Sequence, residues 1–224
     1  MSRASGAVAL AAAGAFATLA ALVGRGHLTS IDQWAVGHAM PGAQWRKPTI
    51  TDALVPLWGE HWHGGVTIAT NVLTAPGALV IATVVVAIAC RRVGGRAGAA
   101  LAAAYVAGNV VEELVKSTLM RPPLYARGLH LAAFDSSYPS GHTIRVVLLA
   151  AAVALAWPRL RVPATLWAAV TVVFLELGGW HVPSDIAGAL LLDAALLATT
   201  WTSCFARESS SSPWPASRPS SRAR

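Results

Sequence analysis

Long apolar runs, separated by short polar stretches, constrain this chain more than any other feature. Gly6 to Gly24 holds 19 residues without a charge, and Gly64 to Cys90 holds 27, interrupted by Pro76-Gly77. A third run begins at Ala97 and stays uncharged to Val111, ahead of Glu112, Glu113 and Lys116. A fourth extends from near His142 to Trp157 with Arg145 in its first turn. A fifth, Val162 to about Trp180, carries Glu176, and a sixth, Pro183 to about Ala206, contains Asp193. A hydrocarbon core about 30 Å thick takes about 20 helical residues to cross. The apolar residues come in blocks, not amphipathic stripes, and only 12% of the chain is charged, against about 25% in soluble domains. Soluble globular, disordered, collagen-like and disulfide-scaffold classes are excluded. Cys90 and Cys204 have no metal-ligand spacing. The expectation is an all-α polytopic membrane protein, one domain over residues 1–206, with six transmembrane helices at about 6–24, 66–90, 97–115, 142–158, 162–180 and 183–205. Residues 207–224, rich in Ser, Pro and Arg, form a disordered cytoplasmic tail. The first run is read as a retained span: only Arg3 precedes it, and it exceeds the usual apolar length of a signal peptide.

A net charge of +7 would suit nucleic acid if the basic residues shared one polar face. They fall instead between the apolar runs, which argues against a nucleic-acid partner. In a six-span layout Arg3, Arg91, Arg92, Arg96, Arg159, Arg161, Arg207, Arg218, Arg222 and Arg224 lie on one side, ten of the 17 Lys and Arg. The positive-inside rule makes that side cytoplasmic, with both termini. The Ala-rich, Lys-poor composition points to a bacterial cell membrane. The outer segment between the first two spans carries Trp34, Trp45, Trp58 and Trp62, a density suited to an amphipathic linker in the headgroup zone, with a lid as the other reading.

Charged groups within spans cost about 2.5–3.5 kcal/mol each on insertion scales, so their placement is informative. Lys116, His142, Arg145, His181 and Asp185 all fall at the outer ends of spans three to six. Pro139-Ser140-Gly141-His142 reads as a helix start whose amides and dipole favour an anion. There Ser140 adds a hydroxyl, Gly141 removes a side chain, and Arg145 shares the face of His142. A common turn and helix start is the plain alternative. In His181-Val182-Pro183-Ser184-Asp185, Pro183 suits the first helical position, which puts Asp185 within reach of the His181 imidazole. The plain alternative there is a helix cap beside an interfacial histidine. Lys116 and Arg121, before Pro122-Pro123, either snorkel to headgroups or clamp phosphoryl oxygens.

Together these residues describe phosphate ester hydrolysis without a metal or other cofactor. His181 attacks phosphorus and carries a phosphohistidine, with Asp185 fixing its tautomer. His142 protonates the leaving oxygen and then activates water. Lys116, Arg121, Ser140, Gly141 and Arg145 hold the phosphoryl oxygens. The order and spacing resemble the type-2 phosphatidic acid phosphatase superfamily, integral-membrane lipid phosphate phosphatases related to vanadium haloperoxidases. Its Pro-Ser-Gly-His motif is complete at Pro139 to His142. Its His-x-x-x-Asp element is present at His181 to Asp185, with Gly179 and Gly188 nearby. The resemblance implies six spans, an active site at the extracytoplasmic end of the helical bundle, and a membrane lipid substrate. Polyprenyl diphosphate, phosphatidic acid and phosphatidylglycerol phosphate are the candidates.

Two departures bear on that resemblance. The family's first motif places six residues between Lys and Arg-Pro. Here four separate Lys116 from Arg121, and Pro123 occupies the usual Arg position. The Ser-Arg of the third motif falls on Phe174 and Leu175, so its phosphate-binding Arg is missing. Arg145 or Arg127 is its replacement, Arg145 being the one on the His142 face. Glu112 and Glu113 are read as structural partners of Lys116 or Arg145, and Glu176 as a contact of Arg145. Asp193 is read as a buried polar contact between helices. His61 and His63 are too weak a pattern for a metal site. The missing arginine also supports a second class, a catalytically weak lipid-phosphate binding or scaffold protein. A third, a transporter, fits less well because the charges gather at one depth.

Overall fold

The computed structural model describes residues 3–44 and 76–205. Residues 66–75 of the second run, Trp45, Trp58 and Trp62, the His61–His63 pair and the 207–224 tail lie outside the described residues. The described elements are α1 (Arg3–Gly24), α2 (Thr29–His38), α3 (Pro41–Gln44), α4 (Pro76–Val93), α5 (Gly95–Thr118), β1 (Tyr125–Ala126), β2 (Leu129–His130), α6 (Gly141–Ala156), α7 (Arg161–Leu177) and α8 (Pro183–Phe205). Single 3₁₀ turns lie at Ala132–Phe134 and Pro158–Leu160.

Among the described residues, four helical stretches are long and apolar enough to cross a membrane: Ala4–Gly24, Gly95–Thr118, Pro158–Leu177 and Pro183–Trp201. They are compatible with an integral membrane protein. The fourth apolar run forms a helix close to the expected bounds, and it is shorter than the other four. α6 has 16 residues, about 24 Å at 1.5 Å per residue, which falls short of a bilayer core. Its ends show why it is short. Ser140 caps the start, its Oγ accepting the Thr143 N–H at 3.2 Å. Trp157 leaves helical geometry ahead of Pro158, as the residue before a proline tends to. Arg92 at the end of α4 closes the other terminus: its Nε donates to the Ala156 carbonyl at 2.9 Å, and its guanidinium lies 5.5 Å over the Trp157 ring.

α6 is the centre of the bundle, touching α4, α5, α7 and α8, while α1 runs along α8. The inner core joins Ala82, Val86 and Ala89 of α4, Leu101 and Tyr105 of α5, Ile144, Leu148 and Ala152 of α6, and Ala189 and Leu192 of α8. The outward faces stay apolar: Leu10, Val80, Val106, Leu166 and Val170 are each at least 60% exposed. A helix apolar on every side suits lipid around it, and between such helices close packing, not transfer from water, supplies the cohesion.

A second core lies over one end of the bundle, where Ala35, Val36, Met40 and Ala43 of the α2–α3 segment meet Leu124, Ala126, Leu131, Phe134 and Val182. Here the chain departs from the all-helical expectation. β1 and β2 pair antiparallel around Arg127 (φ 51) and Gly128 (φ 76), a two-residue turn with both central residues left-handed. Two-residue strands are too short to leave a period in the sequence. Gln33 of α2 fastens this hairpin, exchanging two hydrogen bonds with the Tyr125 backbone at 2.7 and 2.8 Å.

Candidate active site

The starts of α6 and α8 meet at one end of the bundle, the end the sequence reading places outside. The Ser140 N–H donates to the Asp185 carbonyl at 3.1 Å, which ties one helix start to the other. The side chains follow that backbone contact. His142 Nδ1 lies 3.0 Å from His181 Nε2, with the rings edge to face at 60°. His181 Nδ1 lies 3.4 Å from Asp185 Oδ2. A carboxylate only accepts, so the His181 proton belongs on Nδ1, leaving the Nε2 lone pair turned toward His142. His181 is 5% exposed and Asp185 fully buried, whereas His142 is half-buried beside Trp180. Three residues read from sequence as His, His and Asp therefore form one chain, from the buried carboxylate to the surface.

Asp185 is held from behind by Ser137, which the sequence did not offer, and by Arg121, which it offered for another role. Ser137 Oγ donates to its Oδ2 at 2.6 Å, and Arg121 Nη1 to its Oδ1 at 3.1 Å. Arg121 Nη2 reaches Asp32 Oδ2 at 2.7 Å and Ser184 Oγ at 2.6 Å. Asp32, from α2, also accepts the Ser184 N–H at 3.2 Å and so caps the first turn of α8. Burial pushes the Asp32 carboxyl above its ordinary range, and Arg121 pulls it part of the way back. One signal could have pointed to Asp32: it is an acid two residues before Trp34, with uncharged residues on both sides. Ser137 and Ser184 carry no such mark.

Arg121, expected to clamp phosphoryl oxygens, has other partners in the structure. Its side chain is 3% exposed and its guanidinium is committed to two carboxylates and a hydroxyl. Ser140 too is fully buried, its Oγ engaged by Thr143.

The other cations gather on Glu112. Lys116 Nζ lies 2.6 Å from Glu112 Oε1, Arg145 Nη1 lies 2.7 Å from Oε2, and Arg145 also donates to Asn109 at 2.8 Å. Glu112 lies against Gly141, where a Cβ would overlap its carboxylate. Arg145 takes its partners from α5, and Glu176 is not one of those recorded. Arg127 sits on the hairpin turn. Deeper in α8, Asp193 is 1% exposed and neither oxygen has a hydrogen-bond partner among the described residues, so the expected contact between helices is not made there. No group of three or more His, Cys, Asp or Glu able to hold a metal occurs among the described residues.

Comparison with known proteins adds one finding: the family model of the PAP2 superfamily, the type-2 phosphatidic acid phosphatases, matches residues 4–209. No curated protein and no solved structure matches the chain.

Proposed function

The chain belongs to the PAP2 superfamily, a family of phosphatases, and from that premise we propose that it hydrolyses a phosphomonoester or diphosphate on a membrane lipid. The observation that carries this reading is the Asp185–His181–His142 chain at the outer end of the bundle. The substrate headgroup reaches the pair from the bilayer surface while its tails stay in lipid. The incoming phosphoryl group displaces the contact between the imidazoles, and half-buried His142 moves to admit it. His181 Nε2 donates its lone pair to phosphorus, and the bond from phosphorus to the lipid oxygen breaks. That oxygen leaves with a proton from His142. His142 then takes a proton from water, the hydroxide attacks phosphorus, the N–P bond returns its electrons to Nε2, and inorganic phosphate departs. Asp185 keeps the Nδ1 proton in place and balances the charge that forms on His181. Lys116 and Arg145, with the first turn of α6, offset charge on the equatorial oxygens. Arg145 stands in for the third-motif arginine that Leu175 replaces.

In this reading the protein lies in a bacterial cell membrane with six spans, both termini cytoplasmic and the histidines outside. Polyprenyl diphosphate, phosphatidic acid and phosphatidylglycerol phosphate are its candidate substrates. The test is phosphate release from these three by purified protein in detergent with EDTA, beside His181→Ala. Wild type releases phosphate from at least one of them and the variant loses at least about 10³-fold. In the same assay Arg145→Ala raises KM about tenfold. Equal release by wild type and His181→Ala would remove His181 as nucleophile. Silence on all three lipids would favour the second reading, a lipid-phosphate binding protein, for which the missing arginine speaks.

A further inference from the structure

Glu112 holds the two cations that the phosphatase reading gives to the phosphoryl group. Its carboxylate accepts from Lys116 Nζ at 2.6 Å and from Arg145 Nη1 and Nη2 at 2.7 and 3.3 Å. It also rests on the backbone of Gly141, where any side chain would overlap it. Both cations assigned to phosphate at this mouth are thus held by one carboxylate, which also lies against the first residue of α6. The cations are not sealed in: the Lys116 and Arg145 side chains keep 25% and 17% of their exposure, against 3% for Arg121. Arg121 is locked between Asp32 and Asp185. Lys116 and Arg145 remain reachable from outside.

Building on the phosphatase reading, we infer that Glu112 is a resident anion in the phosphoryl seat and that substrate binds by exchange with it. The phosphoryl oxygens take over Lys116 and Arg145 while the Glu112 carboxylate withdraws from Gly141. An anion must then outbid a carboxylate already in place. A phosphodiester headgroup brings one negative charge, replaces like with like and gains little. A terminal phosphate carries about 1.5 to 2 negative charges near neutrality and gains from the swap. Bilayers hold phosphodiester lipids in vast excess, and two unopposed cations at the membrane surface would collect them. Glu112 therefore sets the substrate class, admitting terminal phosphates and turning away phosphodiesters.

The test is inorganic phosphate binding, by calorimetric titration of the full chain in detergent, wild type against Glu112→Gln. Glutamine keeps the shape and an accepting oxygen but not the charge. The expected result is phosphate binding about tenfold tighter in the variant. Short-chain phosphatidylglycerol, a phosphodiester, should compete with phosphate in the variant and not in wild type. Unchanged or weaker phosphate binding, or equal phosphodiester competition in both proteins, would overturn the inference and leave Glu112 as a tether for its cations. If thermal melting shows Glu112→Gln unfolded, Glu112→Asp carries the same test. Its carboxylate is drawn back from Gly141 by one methylene, and binding about threefold tighter is expected, with equal or weaker binding overturning the inference. Binding is read without turnover, so an enzyme silent on every lipid leaves this outcome legible, and an unaltered affinity leaves the His181 assignment standing.

Discussion

Asp185 and Asp193 stand about two turns apart on α8, and both are buried. Asp185, in the first turn, receives Ser137, Arg121 and His181. Asp193, in the middle of the same helix, has no partner for either oxygen among the described residues. The difference lies in what reaches each depth. At the Asp185 end other chain crosses the helix starts, and it brings a carboxylate from α2, a guanidinium from the segment after α5 and a hydroxyl from the turn before α6. In the middle helices pass one another, their backbone groups already paired internally. Tyr105 Oη, in the inner core, is likewise without a partner among the described residues. A buried carboxylate becomes a working part of the site where loops supply its partners, and is a cost where they do not.

The largest effect tests the paired end. Asp185→Asn keeps the volume but removes the charge that orders His181 Nδ1. In a catalytic triad the same change costs about 10⁴-fold in turnover. Here kcat should fall at least about 10³-fold with KM little altered, as steady-state kinetics would show. An equal fall in Tm and kcat would recast Asp185 as a folding residue only. Next comes Arg121→Met, which leaves Asp32 and Asp185 facing each other without their shared cation. Breaking a buried pair in this way costs about 3–5 kcal/mol, so chemical denaturation should show a loss of that order. A loss below about 1 kcal/mol would mean that Asp32 and Asp185 do not depend on Arg121, and would weaken the contrast with Asp193. The smallest effect has the opposite sign. Asp193→Leu removes an unpaired buried carboxyl and should stabilise the protein by about 1–3 kcal/mol without altering turnover. A destabilised Asp193→Leu would show that the middle of α8 has a partner for Asp193 after all.

Much of this molecule was legible in the sequence because its signals are local. Pro183 marks the first residue of α8, Pro139-Ser140-Gly141 marks the start of α6, and the apolar runs locate α1, α5, α7 and α8 to within a few residues of where they lie. Motif spacing set His181 and Asp185 on one helix start, since four residues make one turn. The pairing of Glu112 with Lys116 was legible for the same reason. Arg121 was not, because its role depends on Asp32, 89 residues away. The hairpin at Tyr125–His130 escaped because its strands are two residues long.

By itself, then, the sequence determined what physics acts over one or two turns: which segments are too apolar for water, where helices start and stop, and which side chains share a face. Tertiary structure alone decided which nitrogen of His181 faces His142, that Arg121 turns inward to Asp185 and Asp32, and that one carboxylate, Glu112, spans both cations at the mouth. The physical reason is that a side chain's hydrogen-bond partners are fixed by chain crossings in space, and spacing along one strand of sequence carries no record of what crosses it.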